Sequence, residues 1–367
     1  MLASMLTQEQ LKAYFDRIGV PLWQTYQDDP ETFCTKENLR TIVLNHTLCI
    51  PFENLDMHNK LQGDNPIAID LSSVYKKIVT DGTFRGGYCF ETTGLLKAAL
   101  LALGFQARSG IASVTWLKEK PAIRTHEYLI VTIGADELLV DPGFGQPGPI
   151  EPLMLKKNGH YFTQPQIFPN READAFLVEQ DSDEPAGFKL FSRLQHTWRP
   201  ELEFKPIYTS NPMVLCDSAV IQEQNRVVSA TQLSPFLSRL IVTQPFVCKE
   251  DQYGRYTLSQ TELKLYTPEK GSELVQSFTT QEELLRVLEQ YFNMSLPQGS
   301  DLTAKQVTFA PSIDKLGSLL STPAVVDGLI APSTTLRFSP PTLPQSYLPA
   351  ARSQSSTTLG ANMVVRK

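Results

Sequence analysis

Two consecutive glycines run straight into a cysteine at Arg85-Gly86-Gly87-Tyr88-Cys89-Phe90-Glu91. Residues 89–103 then form an apolar run of helical length, rich in Leu and Ala and ended by Gly104. Glycine allows backbone turns that a Cβ would obstruct, so the chain is expected to swing sharply into a helix that begins with a thiol. There the macrodipole favours an anion, and the thiolate is the nucleophilic form of cysteine. The fold has to be organised around the entrance to that helix.

Two residues downstream suit the same chemistry. His126 opens a β-like stretch, Thr125-His126-Glu127-Tyr128-Leu129-Ile130-Val131, and Asp141 closes the next one in Leu139-Val140-Asp141-Pro142-Gly143-Phe144-Gly145. Gly134-Ala135-Asp136-Glu137 reads as the hairpin turn between them. Adjacent antiparallel strands can bring the two side chains together. Cysteine, histidine and aspartate then fit the roles of nucleophile, base and orienter in acyl transfer. A helix dipole supplies about 0.3–1 kcal/mol at exposed sites, less than the ~1.36 kcal/mol of one pKa unit. His126 is therefore expected to provide most of any lowering of the Cys89 pKa. Taken singly, each residue has an ordinary structural role: a small buried group, a satisfied histidine, a turn former before Pro-Gly. The joint pattern carries the assignment.

Along the chain, Thr7-Gln8-Glu9-Gln10 has capping-box spacing before Leu11, Tyr14, Phe15 and Ile18, and Gly19 stops that helix. Thr35 starts a second helix with Leu39, Ile42, Val43 and His46 on one face. Pro51 marks Ile50-Pro51-Phe52-Glu53-Asn54-Leu55 as loop or extended. Asp70 or Ser72 caps a third helix with Val74, Ile78 and Val79, and residues 89–103 are the fourth. Strand-like runs follow at 111–116, 128–133, 138–140, 176–178, 190–191 and 202–205, then at 240–242, 256–258 and 263–266. One clear helix, capped by Thr280-Gln281-Glu282-Glu283, closes the series. The expected fold is α+β: a helical bundle over residues 1–104, a β-barrel or strongly curved sheet over 105–210 and an α/β unit over 211–296. A Pro-, Ser- and Thr-rich extension, 297–367, is partly irregular, with 316–329 as its one segment able to dock on the body.

Composition narrows the function. A net charge of -6 and the lack of a Lys/Arg-rich run argue against a nucleic-acid surface. The five cysteines (Cys34, Cys49, Cys89, Cys216, Cys248) are scattered and form no CxxC pair. That spacing fits neither a disulfide scaffold nor a zinc site, and suits a reducing compartment. His58, His160 and His196 have no ligand partners at useful spacing. No apolar stretch approaches the roughly 20 residues that cross a bilayer, so a cytosolic protein without membrane or metal is expected. Gly143-Phe144-Gly145-Gln146-Pro147-Gly148 lacks the lysine and following helix of a phosphate loop, yet would let a phosphate approach backbone amides.

Ile50-Pro51-Phe52-Glu53-Asn54-Leu55, Arg85-Gly86-Gly87-Tyr88-Cys89-Phe90-Glu91, the His126 strand and Val140-Asp141-Pro142-Gly143-Phe144-Gly145 together resemble the arylamine N-acetyltransferase family, over about residues 5–296. The resemblance implies a papain-like architecture of helical bundle, β-barrel and α/β lid, and a monomer or weak dimer. It also implies ping-pong transfer from acetyl-, malonyl- or another acyl-coenzyme A, through an acyl-Cys89 thioester, to an arylamine or arylhydrazine. Cys89, His126 and Asp141 would be catalytic, Phe144 and Phe52 would contact the acceptor, and Arg85 would be structural, paired with Glu53 or Glu91. Thr92-Thr93, Pro142 and Gln146 depart from the common family pattern, and the 150–200 segment and the tail look more like eukaryotic microbial, fungal-like members. Competing readings are a papain- or transglutaminase-like hydrolase, an amide-forming enzyme fed by a carrier-protein thioester, and an idle binder of aromatic ligands.

Overall fold

A computed structural model describes residues 5–63, 65–114, 125–145, 148–167, 174–182, 187–194, 205–210, 216–230, 234–248 and 252–302. Trp116, Gln146, His196, residues 202–204 of the strand expected at 202–205 and the chain beyond 302, with its 316–329 segment, lie outside the described residues.

The first hundred residues are helical, as local signals dictate. Helix α1 (Gln8–Ile18) starts at a Thr7/Gln10 capping box and stops at Gly19, whose φ is 66°. Short α2 (Trp23–Asp28) had no clear sequence signal. Thr35 caps α3 (Lys36–Cys49). Pro51 interrupts, and Phe52–Glu53 is not loop but a two-residue strand, β1, followed by α4 (Leu55–His58). Asp70 rather than Ser72 caps α5 (Leu71–Tyr75) by accepting from Ser73 N. The expected third helix then widens into a π turn at Lys76–Thr80 that buries Ile78. Helix α6 (Cys89–Ala102) is buried on nearly every side, which explains its continuous apolar sequence.

Residues 105–210 build a nine-stranded antiparallel sheet with neighbour order β6-β5-β4-β3-β2-β10-β9-β8-β7. Its strands are β2 (Gln106–Val114), β3 (His126–Ile133), β4 (Asp136–Val140), β5 (Leu153–Lys157), β6 (His160–Tyr161), β7 (Gln166–Ile167), β8 (Asp174–Gln180), β9 (Phe188–Leu194) and β10 (Lys205–Ser210). The sheet curves into a half-barrel, as β6 approaches β8 across the interior. A two-residue turn at Gly134-Ala135 joins β3 to β4, with Leu129 opposite Val140. One face of the sheet, carrying Tyr128, Ile130, Phe176, Phe188 and Tyr208, forms the barrel core. The other, carrying Leu129, Val131 and Val140, packs on the helices.

Two helices missed by periodicity, α7 (Ser218–Ala230) and α8 (Pro235–Ser238), precede the last unit. There β11 (Ile241–Val247), β12 (Tyr253–Ser259), β13 (Glu262–Thr267) and β14 (Gly271–Ser277) pack under α9 (Gln281–Phe292), whose start is the expected Thr280/Glu283 capping box. The fifth strand is β1, with Phe52 opposite Thr243 and Glu53 opposite Val242. Pro245 is tolerated in β11 because β1 ends before reaching it. The chain also returns at its far end: Asn59 Nδ2 donates to Ser300 Oγ at 2.9 Å, and Lys60 N donates to the Asp301 carbonyl at 2.9 Å. Residues 300–302 thus dock on the helical part instead of opening a loose extension. No described helix is long and apolar enough to cross a membrane.

Inside the helical layer, His46 is buried and 2.7 Å from the Tyr14 hydroxyl. Burial, with Arg17 nearby, pushes its pKa from 6.5 down to about 3. The folded protein therefore holds His46 neutral while the unfolded chain takes up a proton below pH 6.5, so this stability is present above 6.5 and lost as pH falls toward 3. Urea titrations across that range should show wild type losing about 1.4 kcal/mol more per pH unit than His46→Gln. Parallel slopes would contradict the assignment.

Candidate active site

The position of Cys89 is set by where its backbone must pass. Gly86 and Gly87 are not in the positive-φ region; the left-handed residue of this turn is Phe84, φ 54°. The glycines serve close approach instead. A Cβ on Gly86 would lie 1.7 Å from the Pro51 carbonyl oxygen, and one on Gly87 would lie 2.6 Å from the Glu91 carboxyl. Gly87 N donates to Pro51 O at 3.3 Å, and Glu53 N donates to Gly87 O at 3.1 Å. The expected sharp turn is thus a backbone clasp between residues 51–53 and 86–87. Glu91 Oε2 accepts from Tyr88 N at 3.2 Å, which closes the first turn of α6 on Cys89.

Beneath this clasp lies a buried ion cluster. Arg85 donates to Glu53 from Nε at 2.8 Å and from Nη2 at 2.7 Å, and Nη2 is 2.9 Å from Asp56. Lys77 Nζ reaches Asp56 at 2.6 Å, Glu91 at 2.8 Å and Glu53 at 3.4 Å. Arg85 therefore pairs with Glu53 and not with Glu91. Burial alone would raise the Asp56 pKa, but Lys77 and Arg85 hold it well below the carboxylate range. Burial pushes Glu91 up to about 7 despite Lys77, which compensates the excess of three carboxyls over two cations. Arg17 adds a polar brace: its guanidinium donates to the Ile78, Cys49, Phe84 and Arg85 carbonyls.

On the sheet side, His126 is the first residue of β3 and Asp141 directly follows β4. His126 Nε2 lies 2.9 and 3.0 Å from the two Asp141 oxygens, leaving Nδ1 for the opposite side. Pro142-Gly143 then carries the chain onto α6, where a Cβ on Gly143 would come within 2.6 Å of Cys89 Cα. The histidine–aspartate pair is thereby held against the nucleophile's backbone. Cys89 Sγ faces the Thr125 carbonyl at 3.8 Å, one residue before His126. The thiol is not depressed as expected. Burial pushes its pKa up, and the negative charges of Glu127 and Asp141 act in the same direction.

The walls are apolar. Phe144 meets the His126 ring edge-on at 4.9 Å between centroids. Phe52 packs on Gly145 and lies 6.0 Å from Phe236. Ile111 and Val228 belong to the same cluster as Cys89. Tyr208, which sequence reasoning missed, stands 5.4 Å from His126 with its hydroxyl facing Asp141, and stacks on Tyr128 at 5.8 Å. The Tyr88 hydroxyl, next to the nucleophile, hydrogen-bonds Asn225 of α7. Neither tyrosine nor Lys77 and Asp56 carried a local signal, because each matters only through a distant partner. Among the described residues no group of acidic, histidine or cysteine side chains is placed to hold a metal.

Two outcomes follow from this geometry. Denaturation of Glu53→Gln, Arg85→Met and the double variant should give a coupling above about 1 kcal/mol; additive losses would contradict direct pairing. Gly143→Ala should lower the rate of Cys89 alkylation together with thermal stability, because the added methyl meets the Cys89 backbone. An unaltered rate would show that the 142–144 loop does not position the thiol.

Comparison with known proteins gives the family. A family model described as N-acetyltransferase matches residues 35–300. An N-malonyltransferase of Gibberella moniliformis is 26% identical over 322 residues, 80% of this chain and 90% of that protein. An arylamine N-acetyltransferase / N-hydroxyarylamine O-acetyltransferase of Salmonella typhimurium is 36% identical over 154 residues, 40% of this chain and about half (47%) of that enzyme's length. Among solved structures, the Nocardia farcinica arylamine N-acetyltransferase superposes with a TM-score of 0.65 at 27% identity, covering 84% of this chain and 97% of that one. The Mycobacterium marinum enzyme in complex with CoA gives 0.62 at 25% identity, covering 77% and 92%. With its matched span, its half-barrel α+β fold and these relatives, the chain belongs to the N-acetyltransferase family.

Proposed function

We propose that this protein is an N-acyltransferase that moves an acyl group from an acyl-coenzyme A thioester to an arylamine or arylhydrazine through acyl-Cys89. The observation that carries the reading is the His126–Asp141 pair, bonded at 2.9 and 3.0 Å and pinned to the Cys89 backbone through Gly143. In the first half-reaction His126 accepts the thiol proton while Sγ attacks the donor carbonyl. The carbon–sulfur bond to coenzyme A breaks, and its thiolate leaves with that proton. In the second half-reaction the amine attacks the acyl-cysteine, His126 takes a proton from the amine, and Cys89 departs as the thiol. Asp141 fixes the imidazole orientation and stabilises its cation.

A thiol whose pKa is raised by burial suits this scheme, because ionisation coincides with attack and proton transfer instead of preceding them. The same burial, 2% exposure at Cys89, keeps water from the acyl-enzyme and favours transfer over hydrolysis. Phe144, within the 143–145 loop, and Phe52, which packs on Gly145, would present ring surfaces to an aromatic acceptor. The names of the relatives supply both an acetyl and a malonyl donor class. A papain-like arrangement with residues 211–296 as lid, action in the cytosol and a monomeric or weakly dimeric state belong to the same proposal.

Intact mass spectrometry after mixing the full chain with acetyl-, propionyl- or malonyl-coenzyme A, without amine, should show one acyl adduct on Cys89. The adduct should vanish on adding an arylamine and be absent from Cys89→Ser. No adduct from any donor, with a thiol that still alkylates, would refute the reading.

A further inference from the structure

Behind the thiol, on the side of β3 turned away from the barrel core, a second acid is buried. β3 alternates as a strand must: Tyr128 and Ile130 fill the barrel, whereas Leu129 and Val131 pack on the helices. Glu127 shares the parity of Leu129 and so faces α6. Its carboxyl is 2% exposed, and Oε2 has no hydrogen-bond partner. Leaving a carboxyl oxygen unpaired in a dry interior is unfavourable, and the transfer chemistry assigned to Cys89, His126 and Asp141 does not use it.

Its surroundings are specific. From β2, Ser109 lies beside the carboxyl and favours its charged form, and Ile111 is opposite Glu127 in the ladder. From α6, Lys97 Nζ donates to Ser109 Oγ at 2.9 Å and adds its positive charge. Thr93, on the same helix, donates its hydroxyl to the Glu127 carbonyl at 3.3 Å. At the start of α6, the Glu127 backbone favours the Cys89 thiolate by hydrogen bonding, whereas the charge of the Glu127 carboxyl opposes ionisation of both Cys89 and Tyr88, and Asp141, hydrogen-bonded to His126, opposes that of Cys89 as well. Burial pushes the Glu127 carboxyl up to about 7, with Ser109 and Lys97 restraining the rise.

We propose that Glu127, with Ser109 and Lys97, is a positioning group that sets the charge felt by the Cys89 thiol from behind the active site. When the carboxyl holds its proton, Asp141 is the remaining anion opposing thiolate formation. When that proton is released to solvent, a second negative charge joins it in the same buried region, and the thiol holds its own proton more tightly. The Lys97–Ser109 contact biases the choice. No covalent step is involved. The inference deepens the reading of Cys89 as nucleophile, but it concerns the thiol's own titration.

The test is the rate of Cys89 alkylation by iodoacetamide, located by peptide mass spectrometry, on the full chain from about pH 5.5 to 10. Glu127→Gln keeps the shape and removes the charge. It should match wild type at the acid end, react about tenfold faster near pH 8, one pKa unit in the thiol, and lose the inflection that wild type shows near 7. Lys97→Met removes the opposing cation and should move that inflection to higher pH. A folded Glu127→Gln with the wild-type profile would overturn the proposal. If Glu127→Gln does not fold, Lys97→Met decides, and an unmoved inflection overturns it. Acetyl-coenzyme A labelling of the same samples separates the two readings: a shifted alkylation profile without acyl adduct would refute the transferase and leave Glu127's role intact.

Discussion

Two cations and three carboxylates share one buried site at the root of α6, and the rest of the structure is arranged to keep them together. Arg85 and Lys77 bridge Glu53, Asp56 and Glu91. These residues come from the β1–α4 segment, the π turn after α5, the loop before α6 and the first turn of α6. Ion pairs in such a place are often no more stable than apolar side chains of similar volume, while removing one partner from them is costly. Their value here lies in geometry. Apolar packing would tolerate sliding, whereas forked hydrogen bonds to fixed carboxylates set the height at which residues 85–88 enter the helix. Glycine at 86 and 87 then allows that segment to lie directly on the backbone of residues 51–53.

Features decided by neighbours in sequence were legible before the structure. The caps at Thr7, Thr35 and Thr280 and the stop at Gly19 are local chemistry. The hairpin flanked by His126 and Asp141 was likewise legible, and the structure brings those two side chains together. What was not legible depends on distance. β1 is two residues long and exists because β11 accepts it. The short strands β6 and β7 and the mostly exposed β14 show no period-two pattern. Lys77, Asp56, Tyr208 and Glu127 look unremarkable until tertiary contacts bury them. The thiol was expected to be acidified by dipole and imidazole, and the structure reverses the sign, since burial among Glu127 and Asp141 outweighs a dipole term under one pKa unit.

That reversal joins the two halves of the site. The helical layer holds Cys89 in a dry, negatively biased setting, and the curved sheet brings His126 and Asp141 together. A resting thiol of raised pKa is poorly reactive toward stray electrophiles, and its activation is left to the moment when a substrate completes the arrangement. Tyr208 and Phe144 close on the imidazole from the barrel side, so His126 has little freedom to leave its pairing with Asp141.

The short strand Phe52–Glu53 has one further consequence, for how the molecule is made. It is made ahead of the loop that leads into Cys89, yet its partners Val242 and Thr243 are made far later. Asn54 likewise waits for Phe236, Arg239 and Ile241, which its side chain bonds. The helical layer and half-barrel can begin to collapse during synthesis, but the floor beneath the cysteine is finished only once residues 236–243 have been made. Such long-range closure slows folding, because loop entropy is spent before the contacts that reward it can form.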